Sequence, residues 1–466
     1  MKKLLLACLA ACVVQANAQD VKPLPPLPSP RQQEWADLEF YLFAHFGPNT
    51  FTDLEWGKGT EHEEVFNPSQ LDCRQWCRIA KAAGAKGIII TAKHHDGFCL
   101  WPSKYSKHTV RESKWKDGKG DVLKELNEAC KEYGLKMGVY LSPWDRNHPT
   151  YGTEAYNEVF INMMKEVVSR YGPYFEFWWD GANGEGPNGK KQEYDWKKFQ
   201  ETIRAIAPKT AVFSDIGPDI RWVGNEKGVA GATNWSLLDT AGFKRGHGAP
   251  ENDTLNQGNV YGKNWIQAEC DVSIRPGWFY HKEEDAKVKT PQQLFDLYLK
   301  SVGRNAALLL NVPPDRRGLF TEYDSAALVG FKQMRDKAFA HSLLADKTTS
   351  VQVAGKPTQL LADNKPTYVV ADKGIWLAFT NAVRVNCIQL EEPVQMGQRV
   401  QSFKIELQLA SGEKKTIDGT TIGRKRILTF SAETVKSITI NITGSKATPL
   451  ISEVKVFDIP DGILLK

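Results

Sequence analysis

Between residues 32 and 340, short apolar runs alternate with stretches whose apolar positions recur every three to four residues. These are the spacings of buried strands and of helices with one buried face. The strand-type runs fall at 40–46, 87–92, 136–141, 174–179, 211–215, 265–272 and 306–312. Between them, 121–133 sets Leu123, Leu126, Ala129, Cys130 and Tyr133 on one helical face, and Gly134 ends the helix. Such alternation predicts a parallel sheet wrapped by helices. Seven clear strands and one obscure eighth make an α/β chain with a (β/α)8-like barrel. A doubly wound open sheet is the alternative, but no glycine-rich phosphate loop follows the first strand. Residues 224–262, rich in Gly, Asn and Thr, read as a long loop over one barrel face, and loops of that length tend to be functional.

From 341 to 466 the pattern changes to short alternating strands: TYVVAD, IWLAFT, CIQLEE, SFKIELQLA, KKTIDG, RILTFS, SITINITG and SEVKVFDI, with turn residues between them. This predicts an all-β sandwich of the galactose-binding or discoidin kind, as a brace for the barrel or a glycan binder. The first residues pair Lys2 and Lys3 with an apolar run and then Ala16-Asn17-Ala18, the pattern of a secretory signal over 1–18. A lipoprotein reading, with Cys12 lipidated after Leu9-Ala10-Ala11, is the rival. Export to the periplasm or beyond is expected either way. Residues 19–31 are Pro-rich and suit an extended lead-in. No other stretch is apolar enough to cross a bilayer.

Charge and cysteine usage narrow the class. A net charge of +5 with both signs interspersed shows neither a nucleic-acid footprint nor a membrane patch, so a neutral partner fits best. Cys73, Cys77, Cys99, Cys130, Cys270 and Cys387 remain after the leader; they read as core thiols or at most one bridge, not a disulfide scaffold. Fourteen Trp and fourteen Tyr are many, as sugar-stacking faces or as extra aromatic core.

In a barrel the chemistry sits where strands end. Read in order, those ends carry His45-Phe46-Gly47, then Lys93-His94-His95-Asp96, then Ser142-Pro143-Trp144-Asp145, then Trp178-Trp179-Asp180-Gly181, then Asp215. A histidine beside a strand is more often structural than functional, but three with a carboxylate at successive strand ends weaken that reading. Imidazoles and carboxylates hydrogen-bond ring hydroxyls, while Trp offers a flat face to sugar C–H groups. His94 and His95 are adjacent and diverge, and no HExxH-like spacing occurs, so no metal and no other cofactor is expected.

The motifs HFG (45–47), KHHDGF (93–98), YLSPWD (140–145) and FWWDG (177–181) resemble glycoside hydrolase family 29, the α-L-fucosidases. The segment DIRWVGNEKG (219–228) is similar to its branch active on α-1,3 and α-1,4 fucosyl linkages. The resemblance implies an exo-acting, retaining two-step displacement on a fucosylated oligosaccharide or glycoconjugate. By residue matching it implies Asp180 as nucleophile and Glu226 as acid and base, with Glu269 the reserve for the second role. Retention would place the two carboxyls roughly 5 to 5.5 Å apart. It further implies His45, His94 and His95 on fucose hydroxyls, Glu55 and Trp56 closing the pocket, and Trp144 and Trp278 packing on the sugar. Arg275 would brace the carboxylates or a hydroxyl, and Asp145 and Asp215 stand as possible structural partners of the histidines. A non-catalytic glycan binder on the same barrel and a glycosidase for another sugar are the competing readings. Sequence does not fix the oligomeric state.

Overall fold

The computed structural model describes residues 21–246, 252–346, 349–357 and 368–465. The leader at 1–18, with Cys12, and residues 247–251 of the long loop lie outside these. Eight parallel strands close into a barrel: β1 Phe40–Ala44, β2 Gly87–Lys93, β3 Lys136–Leu141, β4 Glu176–Trp178, β5 Ala211–Ser214, β6 Ile220–Trp222, β7 Gln267–Ser273 and β8 Ala307–Asn311. The obscure strand is β6, three residues lying between β5 and β7 in the sheet. Its brevity explains why periodicity alone does not locate it.

Strand alternation sorts the side chains. Odd positions of β1 and even positions of β3 and β4 face the barrel axis, so Tyr41, Phe43, Tyr140, Trp178, Phe213 and Leu309 form one interior cluster. The opposite parity, including Leu42, Ala44, Val139, Phe177 and Trp179, packs outward against the helices. Trp178 and Asp180 therefore share the inner side while Trp179 between them is fully buried in the outer layer.

Helix α1, Pro30–Ala36, closes the bottom of the barrel. Pro at its first position and the capping box of Ser29 with Gln32 start it. Arg31 pairs with Asp219 at 3.0 Å, and Trp35 enters the interior cluster.

Beyond Ala338 the chain forms an antiparallel sheet domain with its own apolar core, accompanied by a two-stranded sheet. IWLAFT and CIQLEE are one strand, Ile375–Glu391, and RILTFS and SITINITG are another, Arg426–Ser445. No Gly or Pro interrupts either connection, so register shifts take up the irregularity where a turn is expected. This domain rests on the barrel through Lys425 with Glu39 at 2.6 Å and Phe339 against Phe457. The six described cysteines are free thiols, all buried. Among the described residues, no helix is long and apolar enough to cross a membrane.

Candidate active site

At the C-terminal mouth of the barrel lie two adjoining cavities. The first, of about 150 Å³, is bordered by His45, Glu55, Trp56, His94, His95, Tyr140, Trp178, Asp180, Glu226, Asp271 and Trp278, among others. The second, of about 210 Å³, is bordered by Gly181, Phe213, Asp215 and Trp222 and shares Trp178, Asp180, Ala182, Glu226 and Asp271 with the first. Those five line the seam between a histidine chamber and an acidic, aromatic one. A larger cavity of 750 Å³ lies between the helix Pro291–Lys300 and the C-terminal domain. None of the strand-end motif residues borders it.

Asp180 lies two residues past the end of β4. Its Oδ2 accepts from the Tyr140 hydroxyl at 2.9 Å, and its Oδ1 accepts from the Ala182 N–H at 2.7 Å. His95 Nε2 stands 3.7 Å from Oδ2. Two donors thus fix the carboxylate's plane, with the imidazole beside it.

Two of the three histidines are fixed by hydrogen bonds to different partners; His94 Nδ1 is buried without one. The His94 and His95 rings do not diverge but lie with centroids 4.2 Å apart at the same cavity. His45 Nδ1 is 2.9 Å from Asn311 Oδ1, and the Asn311 amide N–H donates to the Trp278 carbonyl at 2.8 Å. That orientation of the amide puts the proton on His45 Nδ1 and leaves Nε2 as an acceptor. His95 Nδ1 is 2.8 Å from Ser142 Oγ, whose hydroxyl donates to the Trp144 carbonyl at 2.9 Å. His95 therefore also carries its proton on Nδ1. Burial pushes His45 down to about 3 and His95 down to about 4. Burial, with the charges of the neighbouring histidines, also holds His94 well below the usual imidazole range. All three are neutral near pH 7, suited to hydroxyls rather than to an anion.

The other wall is built by the chain after β7. Glu55 accepts from the N–H groups of Trp278 at 2.8 Å and Phe279 at 3.1 Å and pairs with His281 at 2.6 Å. A Cβ on Gly277 would meet the Glu55 carboxylate at 2.6 Å and would have to push that side chain aside. Trp278 lies against the His45 ring with centroids 5.1 Å apart, and its indole N–H donates to Glu226 Oε2 at 3.3 Å. Glu226 stands on the turn after β6, where Gly228 has φ +71° and a Cβ there would meet Val272 at 2.7 Å. Trp56, 57% exposed, stands at the rim with its ring nearly perpendicular to that of His95.

Asp271 was not singled out by sequence reading. It faces inward on β7, accepts from the Trp222 indole N–H at 2.9 Å, and borders both cavities. Burial, then the charges of Glu269 and Glu226, push its carboxyl well above the usual range. Its parity with Glu269 in QAECD was the available signal. Tyr140 was likewise missed as a site residue, although it lies two positions before Ser142 on the inner face.

Three candidates are not brought to the cavity. Arg275 is buried, with two nitrogens on Asp324 at 3.0 Å and a third on Asp285 at 2.9 Å; the carboxylates it braces are these. Trp144 packs behind His95, centroids 4.8 Å apart, and donates to the Glu185 carbonyl. Glu269 lies below the cavity, fully buried, with both oxygens taken by Trp178 and Tyr41. Asp145 serves Lys93 at 3.1 Å and Tyr156 rather than a histidine of the site. Asp215 accepts from the Gly246 N–H at 2.9 Å and borders the second cavity. Among the described residues, no group of three or more His, Cys, Asp and Glu side chains is arranged to hold a metal ion.

Comparison with known proteins adds independent information. A family model described as Alpha-L-fucosidase matches residues 9–333. Alpha-L-fucosidase 1 of Arabidopsis thaliana is 42% identical over 446 residues, covering 92% of this chain and 87% of that protein. A solved glycoside hydrolase 29 family member from an unknown rumen bacterium is 39% identical, with a TM-score of 0.86, covering 94% of this chain and 78% of that one. A Ruminococcus gnavus glycoside hydrolase 29 fucosidase in complex with fucose is 31% identical, with a TM-score of 0.86, covering 96% of this chain and 98% of that one.

Proposed function

The chain belongs to the α-L-fucosidase family, glycoside hydrolase 29, and is an α-L-fucoside hydrolase; from that premise we propose a retaining exo-mechanism with Asp180 as nucleophile and Glu226 as acid and base. Terminal fucose would occupy the histidine chamber and the leaving group the acidic one. The single observation that carries this reading is that both carboxylates line the seam between the two chambers, where a scissile bond would cross.

In the first step an Asp180 oxygen bonds to the anomeric carbon while Glu226 gives its proton to the departing glycosidic oxygen. In the second, Glu226 takes a proton from water, which displaces Asp180 and releases fucose with the starting anomeric configuration. Tyr140 and the Ala182 N–H support the first step by holding the carboxylate's orientation. The neutral imidazoles would accept from fucose hydroxyls, and the apolar faces of Trp278 and Trp178 would meet the ring and its methyl group.

One observation favours a second assignment for the proton donor. Asp271 is a buried carboxyl held toward its neutral form on the same seam, which is what an acid on entry needs. Substrate choice follows the sequence motif DIRWVGNEKG, from which we infer α-1,3 or α-1,4 linkages of Lewis type. Export through residues 1–18 completes the reading, and N-terminal sequencing of the mature protein tests it.

Digestion of fucosylated oligosaccharides differing only in linkage, with product anomers followed by NMR, tests the whole. The expected result is α-fucose as first product from α-1,3 and α-1,4 linkages; the β-anomer as first product would overturn the mechanism, and cleavage confined to α-1,2 or α-1,6 linkages the specificity.

A further inference from the structure

Below the histidine chamber, inside the barrel, two carboxyl groups meet away from water. Glu176 opens β4 and Glu269 is the third residue of β7, and neither has any exposed surface. Glu269 accepts from the Trp178 indole N–H at 2.8 Å with Oε1 and from the Tyr41 hydroxyl with Oε2. Glu176 accepts from the Trp35 indole N–H at 2.8 Å with Oε2. Its other oxygen, Oε1, is buried and meets no donor of the protein. Glu176 and Trp178 share the inward side of β4, and the Trp178 indole reaches Glu269, so the two carboxyl groups are neighbours in the barrel interior.

An oxygen buried without a donor is costly, and two neighbouring carboxylates in a buried interior more so. One proton resolves both. Both oxygens of Glu269 already receive a donor, whereas Glu176 has an open one, so the proton belongs on Glu176 Oε1 and points at Glu269. We propose that Glu176 and Glu269 share a single proton, and that this singly charged pair positions Trp178 and, through it, the nucleophile of the reaction. Burial, then the partner's charge, raise Glu176 well above the usual carboxyl range, in the direction this arrangement requires.

The connection from the pair to the reacting atoms is short. Trp178 is clamped between Tyr140, centroids 5.2 Å apart, and Phe213, 4.0 Å apart, both stacked on it. Tyr140 then donates to Asp180. Trp178 also floors both chambers, so a displaced indole would disturb the sugar bed and the aspartate together. Glu176 and Glu269 do not line either chamber, which makes them positioning residues.

The kinetic arm of the test rests on the fucosidase reading; the spectroscopic arm does not. The infrared difference spectrum of parent minus Glu176→Gln, taken near pH 7 in light and heavy water, should contain a deuterium-sensitive protonated-carboxyl band. In kinetics on an aryl α-L-fucoside, Glu176→Leu takes the shared proton away from the Glu269 charge and should lower kcat by about tenfold or more, because small misplacements of reacting groups are costly. Glu176→Gln, whose amide N–H can replace the proton, should recover most of that loss. Absence of the band, or a Leu variant that turns over as fast as the Gln variant, would overturn the inference. If the Leu variant does not fold, the parent and Gln spectra still decide it. If the parent cleaves no fucoside, the functional reading fails while the band alone decides the shared proton.

Discussion

The hydroxyl of Tyr140 donates to Asp180 Oδ2 at 2.9 Å across the ends of neighbouring strands β3 and β4. Strand parity alone puts both groups on the barrel axis, and the ring of Tyr140 is held by its stack on Trp178. Tyr140→Phe keeps the stack and removes the donor. The Asp180 carboxylate then keeps only one of its two fixing donors, and because small misplacements of a reacting group are costly, kcat on an aryl α-L-fucoside should fall by about tenfold or more while circular dichroism stays that of the parent. An unchanged kcat would mean that the contact is idle in the reaction.

The three carboxyls on the seam are separable by leaving group. Asp180→Asn should abolish turnover of every fucoside while circular dichroism stays that of the parent. Glu226→Gln should spare aryl fucosides with good leaving groups and lose fucosylated oligosaccharides, because a good leaving group needs little protonation. Asp271→Asn should show no such split. If the split appears in Asp271→Asn and not in Glu226→Gln, the proton donor is Asp271.

Arg275 offers a test of structure against binding. Asp324 is fully buried and depends on the Arg275 guanidinium for its charge partner. Arg275→Met should cost about 3–5 kcal/mol, the penalty for stranding a buried charge, read as a large drop in melting temperature. The KM of whatever variant remains folded should be the parent's. A raised KM without loss of stability would return Arg275 to the sugar site.

The imidazoles give a pH prediction with a definite sign. His45 is lowered from 6.5 to about 3 and His95 from 6.5 to about 4, both chiefly by burial. The unfolded chain therefore takes up protons first as pH falls. The stabilising share of each is complete above pH 6.5 and is lost as acid approaches the folded value. Buried carboxyls such as Asp96, pushed up to about 6 by burial, act in the opposite direction, so the comparison is between parent and variant. Between pH 7 and about 4 the parent should lose more melting temperature than His45→Gln. Imidazole proton resonances of His45 that titrate near pH 6.5 would contradict this.

Much of the site could be read from the chain because barrel geometry turns strand ends into neighbours. His45, the His94-His95 pair and Asp180 lie far apart in sequence, yet each follows a recognisable apolar run, and all four residues border one cavity. What escaped was decided by partners that sequence does not announce. Arg275 looked available until Asp324, 49 residues on, was seen to hold it. Glu269 looked like an acid at a strand end, but it lies in the middle of β7, one inward step below Asp271 and roughly 6.6 Å deeper at about 3.3 Å per residue. Trp144 has the right chemistry for a sugar face and is hidden from it by His95. Strand β6, three residues long, carries too few positions for its periodicity to register.

Helix α1 and its Trp35 stopper have a bearing on which glycans can be served. A barrel plugged at its base and filled by Tyr41, Trp178 and their neighbours offers a blind alley with one entrance. A branch tip can project into it, but a polymer cannot be threaded through, and the liberated monosaccharide must back out past the tryptophans that admitted it.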